Sequence, residues 1–251
     1  MSITLRDGAT KGMMPRFTAP EAVGAHRAPQ DAAGIIFDAE TFGEAYFTRI
    51  SNYGGRYQRF NPPHKISGYL AEVRRIRPSG ALLDVGCAFG GFLERARAHY
   101  QCEGLDISAY ALAVARRQVP GIVLHHESIE AFRTGRTYDV VTCFDVVEHV
   151  PDLDAALARL RALLAPAGIL AIAVPVYDTL PGRLFGLVDR DPTHVHRRSR
   201  GFWLERLDHA GLEPVVVKGI LRAPLPGAFL HLIRPMFRWF SSALFVICAR
   251  H

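Results

Sequence analysis

The sequence predicts an α/β fold, doubly wound around a mostly parallel sheet. Three observations carry that expectation. From Ala81 onwards short apolar runs alternate with segments of helical period, the order of a chain that crosses over between parallel strands. The runs are close to continuously apolar, as strands covered on both faces are. The chain has 251 residues, a length that α/β folds often use as one domain. With 49% hydrophobic and 22% charged residues, the composition excludes a wholly disordered, collagen-like or coiled-coil chain.

Residues 1–34 mix Gly, Pro, Ala and isolated charges without periodicity and read as a loose arm. Between Thr41 and Pro63 aromatics are dense, among them Phe42, Tyr46, Tyr53, Tyr57 and Phe60, and Gly and Pro punctuation favours short helices. His64–Arg77 follows as a helix, with Ile66, Tyr69, Leu70, Val73 and Ile76 at i, i+3, i+4, i+7 and i+10. Residues 35–78 are therefore expected to be helical and to precede a core domain over 79–251. Seven strand-like runs are predicted there, at 81–86, 102–106, 122–125, 138–144, 168–174, 213–221 and 243–249. Helices fall between them at 92–99, 108–118 with Ser108 as N-cap, 152–164 with one apolar face, and 199–209 stopped by Gly211. Gly168 suits a left-handed helix stop before the fifth run.

Thirty Lys and Arg against 24 Asp and Glu give a net charge of +6, which permits a nucleic acid, a membrane headgroup or an anionic ligand as partner. Only Lys11, Lys65 and Lys218 are lysines, however, so the balance reads first as an arginine bias of the whole chain. Cys87, Cys102, Cys143 and Cys248 lie far apart and form no CxxC, as expected of free thiols in a reducing compartment. The N-terminus shows no apolar signal-peptide core and the longest apolar stretches are broken by Pro, Gly, His or Arg, so the expectation is a cytoplasmic protein.

The first strand runs into Gly86-Cys87-Ala88-Phe89-Gly90-Gly91 and then a helix. Small residues at such a bend let backbone N–H groups and the helix N-terminus approach a polar ligand. Twenty residues past Gly86 the second strand ends at Asp106, where a carboxylate can accept from both hydroxyls of a ribose. Together these indicate an adenosine-containing cofactor. The middle position is Ala88 and Asp84 precedes the first glycine by two, an acid that crowds a pyrophosphate but suits a ligand carrying cationic ammonium and sulfonium groups.

On these residues the chain resembles the class I S-adenosylmethionine-dependent methyltransferases. LDVGCAFGGFLERA is similar to their first motif, EGLDIS to the second-strand motif, YDVVTCFDVVEHVPD to the fourth-strand motif and LLAPAGILAIAVP to the entry to strand five, so that the resemblance covers about residues 65–221. It implies a Rossmann-like, mostly parallel seven-stranded sheet with a terminal antiparallel strand and an N-terminal helical lid. It also implies S-adenosyl-L-methionine as cofactor. Carried over by position, Asp84 orients the methionine end, Gly86, Cys87 and Ala88 line the methionine moiety, and Gly90 belongs to the same turn. Asp106 binds the ribose, Ile107 flanks the adenine, Ser128 and Ile129 stand where the adenine amino group is met, and Phe144 presents its carbonyl.

Methyl transfer needs an acceptor held near, aligned and dry, and a proton removed if the acceptor is a hydroxyl. Asp145, Glu148 and His149 follow strand four at i, i+3 and i+4 and share a face if the turn is helical. Three readings stay open: an orienting hydrogen-bond cluster, His149 as general base, or Asp145, Glu148 and His149 as ligands of a divalent ion such as Mg²⁺ or Zn²⁺. The last follows the resemblance to the ubiquinone-biosynthesis O-methyltransferases. The segment 175–200 is expected to close over the acceptor, which makes His194 and His196 further candidates for base or acceptor contact, and Arg197, Arg198 and Arg200 for an anionic acceptor. Residues 222–242, read as an insertion before the last strand, combine apolar bulk with Arg222, Arg234 and Arg238 and suggest peripheral membrane contact.

The expectation is a methyltransferase of a small-molecule acceptor, at oxygen rather than nitrogen. Alternatives are N- or C-methylation of a natural product or nucleotide sugar, and a catalytically silent cofactor-binding partner subunit. Phe144-Asp145-Val146-Val147 replaces the Asn/Asp-Pro-Pro-Tyr/Phe motif expected of a nucleic-acid methyltransferase, which argues against a nucleic-acid substrate.

Overall fold

The computed structural model describes residues 40–50, 57–225 and 228–250. The proposed arm at 1–34, residues 35–39 and Tyr53 therefore lie outside the described residues. The chain order is a π-helical turn (Tyr46–Ile50), α1 (Tyr57–Phe60), α2 (Pro63–Ile76), β1 (Gly80–Val85), α3 (Gly91–Ala96), β2 (Tyr100–Asp106), α4 (Ala109–Gln118), β3 (Val123–His126) and β4 (Tyr138–Phe144). A 3-10 turn (Val147–His149), α5 (Leu153–Ala162), β5 (Leu164–Pro175), α6 (Leu180–Val188), α7 (Arg200–His209), β6 (Leu212–Leu225), β7 (Ala228–Arg234), a second 3-10 turn (Pro235–Trp239) and β8 (Ala243–Arg250) complete it.

One sheet holds the strands in the order β3-β2-β1-β4-β5-β8-β6-β7. The first five pair in parallel, whereas β8 runs antiparallel between β5 and β6, and β7 closes the edge antiparallel to β6. Strand order reverses between β1 and β4, so their carboxyl ends diverge there and open a crevice. One face of the sheet packs on α5 and α7 through residues such as Leu157, Leu160, Trp203 and Leu207; the other packs on α2, α3 and α4 through Tyr69, Val73, Leu93 and Leu112. The helix caps follow local chemistry. Ser108, Asp152, Thr179 and Ser199 accept from the backbone N–H three residues on, each satisfying a donor the helix start would leave open.

Three sequence expectations change, the first being that the 175–200 segment, read as a loop, holds the helix α6. The sheet has eight strands, not seven, because the front of the expected 222–242 insertion is the end of β6 and a returning strand β7, in which His231 and Ile233 are buried and their neighbours Leu232 and Arg234 exposed. Gly168 is not a left-handed stop: the described backbone has positive φ at Gly80, Gly86, Gly90, Gly121 and Gly211 among glycines, and Gly168 is instead confined by close approach, since a Cβ there would lie 2.7 Å from the Tyr138 carbonyl oxygen.

Candidate active site

The crevice at the β1/β4 reversal is a cavity of about 730 Å³. Its floor is the turn after β1. Gly86 has φ +72, and a Cβ there would meet Val146 Cγ2 at 2.2 Å, so a side chain at this position is strained and displaces Val146. Ala88 also sits at positive φ, +45, and is held there by donating its N–H to Asp106 Oδ2 at 2.8 Å. The other carboxylate oxygen, Oδ1, accepts from Ser108 N–H at 2.8 Å, so Asp106 couples the first turn to the cap of α4. Asp84 accepts from Thr142 Oγ1 at 2.6 Å, and burial pushes its pKa up to about 7.

Of the residues expected to contact a cofactor, Asp84, Gly86, Cys87, Ala88, Asp106, Ile107, Ser128, Ile129 and Phe144 all line this cavity. Gly90 does not. It caps α3 at φ +80, with Val119 and Ala115 where a Cβ would go, and its neighbour Gly91 takes the place on the wall. Over the cavity lie Phe42, Tyr46, Phe47, Tyr57 and Phe89, with Phe47 4.8 Å and Tyr57 4.6 Å from Phe89 by ring centroids. Two buried carboxylates at strand ends, a backbone turn and apolar or aromatic walls form a donor and acceptor set that fits a ribose diol, a flat base and a cationic chain.

Beyond Phe144 the chain bends at Asp145, a non-glycine residue at φ +56. Asp145 Oδ2 receives Lys65 Nζ at 3.1 Å and Oδ1 receives Arg222 Nη2 at 2.8 Å. Burial would raise its pKa, but the Arg222 and Lys65 charges prevail and hold the carboxyl well below the usual range. Asp145 is thus a buried ion-pair partner whose two oxygens face Lys65 and Arg222. The ligand atoms that do converge, within 4.8 Å of one another, belong to Glu148, His149 and His194.

His149 lines the cavity, whereas Glu148 and His194 stand outside its wall. Thr193 Oγ1 donates to Asp191 Oδ1 at 2.6 Å, so its lone pair accepts from His149 Nδ1–H at 2.8 Å. This chain leaves His149 Nε2 as an unprotonated acceptor, and burial, reinforced by His194, lowers the pKa to about 4. Tyr46 donates to the second Asp191 oxygen at 3.2 Å. His194 differs from its neighbour although the rings are 4.7 Å apart: burial lowers its pKa, but its bond to Asp189 at 2.7 Å prevails and the pKa rises. Glu148 is pushed up to about 8 by burial and then by the Asp145 charge, and its Oε2 has no hydrogen-bond partner among the described residues. His196 Nε2 bonds the carbonyl oxygen of the lining residue Val150 at 2.8 Å, and His196 itself does not line the cavity.

Lys65, Arg222, Asp189, Asp191 and Thr193 are the site residues that motif reading missed. Asp189, Asp191 and Thr193 carried one signal, the Asp-x-Asp-x-Thr-His spacing within the loop that holds His194.

Fold and site together define an α/β protein that binds an adenosine-containing cofactor at the carboxyl ends of its strands. Residues 56–217 match the family described as methyltransferase domain, and the chain belongs to that family, among the class I S-adenosylmethionine-dependent methyltransferases. It is 43% identical over 116 residues to a dTDP-3-amino-3,6-dideoxy-alpha-D-glucopyranose N,N-dimethyltransferase of Streptomyces fradiae, covering 43% of this chain but only 46% of that protein. Over 194 residues it is 30% identical to a ubiquinone biosynthesis O-methyltransferase of Idiomarina loihiensis, covering 68% of this chain and 79% of that one. Among solved structures, a SAM-dependent methyltransferase of Thermotoga maritima, a possible histamine N-methyltransferase, shares the fold at TM-score 0.64 and 16% identity, over 82% of this chain and 98% of that one.

Proposed function

We propose that this chain methylates a small-molecule acceptor at oxygen, with His149 taking the acceptor's proton. When bound, S-adenosyl-L-methionine supplies a methyl group already activated on a sulfonium. Asp106 holds the ribose hydroxyls, Ile107 and Ile129 flank the base with Ser128 beside it, and Gly86, Cys87 and Ala88 line the methionine part, with Asp84 behind them. The aromatic cover formed by Phe42, Tyr46, Phe47 and Tyr57 excludes water from the reacting end. The observation that carries the reading is the Asp191–Thr193–His149 chain, which keeps Nε2 free to accept a proton on the cavity wall next to Asp145. Thr193 and Asp191 are positioning residues in this scheme. With the cofactor and acceptor bound, His149 Nε2 would accept the proton that the acceptor oxygen gives up as it takes the methyl group from the sulfonium.

Steady-state kinetics with a catechol and with an amino-sugar nucleotide test the assignment. His149→Ala lowers kcat for the hydroxyl acceptor by roughly 10²–10⁴, the worth of a positioned base. Thr193→Val lowers it about tenfold, the worth of one orienting hydrogen bond, and Thr193→Ser restores it. Wild-type turnover in His149→Ala with the amine acceptor alone would transfer the reading to N-methylation. No turnover of any acceptor despite cofactor binding would leave the silent-subunit reading.

A second reading rests on the convergence of Glu148, His149 and His194 and on the unpartnered Glu148 oxygen. Both histidines anchor Nδ1, on Thr193 and Asp189, an outer-shell arrangement typical of histidine ligands to Zn²⁺. Chelator followed by Mg²⁺ or Zn²⁺ separates the two readings: unchanged turnover in chelator supports His149 acting alone.

A further inference from the structure

Twelve large apolar side chains are exposed among the described residues, and seven of them fall in two short segments. On α6, Leu180, Leu184, Leu187 and Val188 lie at i, i+4, i+7 and i+8, one face of the helix, and Leu187 is 82% exposed. The opposite side of α6 is pressed inward at Gly182, where a Cβ would lie 2.1 Å from the Val176 carbonyl oxygen. A helix that buries its glycine and turns its leucines outward inverts the pattern of a surface helix in a water-soluble domain. In the second 3-10 turn and just after it, Met236 (76%), Trp239 (67%) and Phe240 project.

The two segments adjoin. Thr179, the cap of α6, donates to the Ser241 carbonyl oxygen, and Arg200 donates to the Arg238 carbonyl oxygen. Arg200 lies 4.5 Å and Arg238 5.0 Å from the Trp239 ring centroid. The surrounding charge is mainly basic, with Asp178 before α6 half-buried and paired with Arg200. Arg183, Arg190, Arg234 and Arg238 are exposed, while the acids between residues 179 and 200, Asp189 and Asp191, are buried, Asp189 being paired with Arg197, and residues 234–242 contain none.

We infer that α6 and the 235–240 turn form a docking surface for an anionic lipid bilayer, with the apolar face entering the interface and the arginines meeting the headgroups. Apolar residues on one face, a tryptophan at the polar boundary and a basic rim are what interfacial insertion requires. The surface differs from the 222–242 segment suggested by composition, since residues 222–225 and 228–234 belong to β6 and β7 and α6 supplies half of it. The loop that follows α6 carries Asp189, Asp191, Thr193 and His194, so the docked face adjoins the chain that orients His149.

Flotation of the full chain with vesicles of phosphatidylcholine alone, and with 30% phosphatidylglycerol, tests the proposal. Binding is expected to the anionic vesicles, at least tenfold stronger than to neutral ones, and to weaken severalfold at high salt. Leu184→Gln/Leu187→Gln/Trp239→Gln abolishes flotation and Arg183→Gln/Arg190→Gln/Arg238→Gln removes the anionic preference, while S-adenosylhomocysteine binding and melting temperature stay as in the wild type. No flotation, or equal flotation of the leucine variant, overturns the proposal. So does a dimer in sedimentation velocity that the leucine variant dissociates, which would make a second copy the occupant. None of these readouts involves methyl transfer, so their failure leaves the proposed reaction standing.

Discussion

Gly86→Ala tests the turn on which cofactor binding depends. Two costs are separable in the structure. At φ +72 an alanine carries the left-handed penalty, about 1–2 kcal/mol. Its Cβ also meets Val146 Cγ2 at 2.2 Å, so Val146 must move, an overpacking cost of about 1–3 kcal/mol. The sum, about 2–5 kcal/mol, lowers Tm by roughly 4–20 °C at 2–4 °C per kcal/mol for a chain of this size. Distortion of the floor also weakens S-adenosylhomocysteine at least tenfold in calorimetry. Val146→Ala in the same chain removes the collision and leaves the φ penalty, so the double-mutant cycle returns a favourable coupling of about 1–3 kcal/mol. Wild-type Tm and affinity in Gly86→Ala would refute the geometry of the turn; a damaged single mutant with zero coupling would refute the role of Val146.

Other outcomes follow from the buried charges. Asp145→Ala leaves Lys65 and Arg222 buried without their shared partner, so it destabilises by about 3–5 kcal/mol, with Asp145→Asn costing less; urea unfolding measures both. His231 is buried, with neither ring nitrogen hydrogen-bonded among the described residues, and desolvation, then Arg222 and Lys65, lower its pKa to about 2. The unfolded chain, with its histidine near 6.5, therefore binds more protons, and the His231 contribution is complete above pH 6.5 and lost as pH falls below it. At pH 5 the 1.5-unit gap corresponds to about 2 kcal/mol. Glu148 titrates with the opposite sign in this window, so the pH 8 minus pH 5 stability change should be compared between wild type and His231→Gln; a smaller change in the variant, by about that amount, is expected, and an equal change would contradict it.

The cofactor half of the site was legible because its residues are contiguous. A strand, a glycine turn and an acid twenty residues on lie within one β-α-β unit, and spacing alone brings Asp84, Gly86 and Asp106 to one cavity. The acceptor half is assembled from distant segments. Lys65 and Arg222 stand 80 and 77 residues from Asp145, and only the order in which β6 follows β8 in the sheet brings Arg222 back towards it. The Thr193–His149 bond spans 44 residues and depends on a loop whose backbone is pinned by Val195 and His196 N–H groups to the Glu148 carbonyl oxygen. Strand β7 escaped because Phe229-Leu230-His231-Leu232-Ile233 puts a histidine on its buried side and leucine on its open one. The stripe on α6 escaped because Pro181, Gly182 and Gly186 disguise nine residues of helix as loop.

In the proposed reading the β1/β4 crevice binds S-adenosylmethionine with Asp106 on its ribose. Calorimetric titration of S-adenosylhomocysteine into the wild type and into Asp106→Ala, with NAD as control ligand, tests it most directly. One-to-one binding to the wild type, affinity at least tenfold weaker in the variant, and no heat from NAD are expected. Undiminished affinity in Asp106→Ala, or binding of NAD in place of S-adenosylhomocysteine, would contradict it.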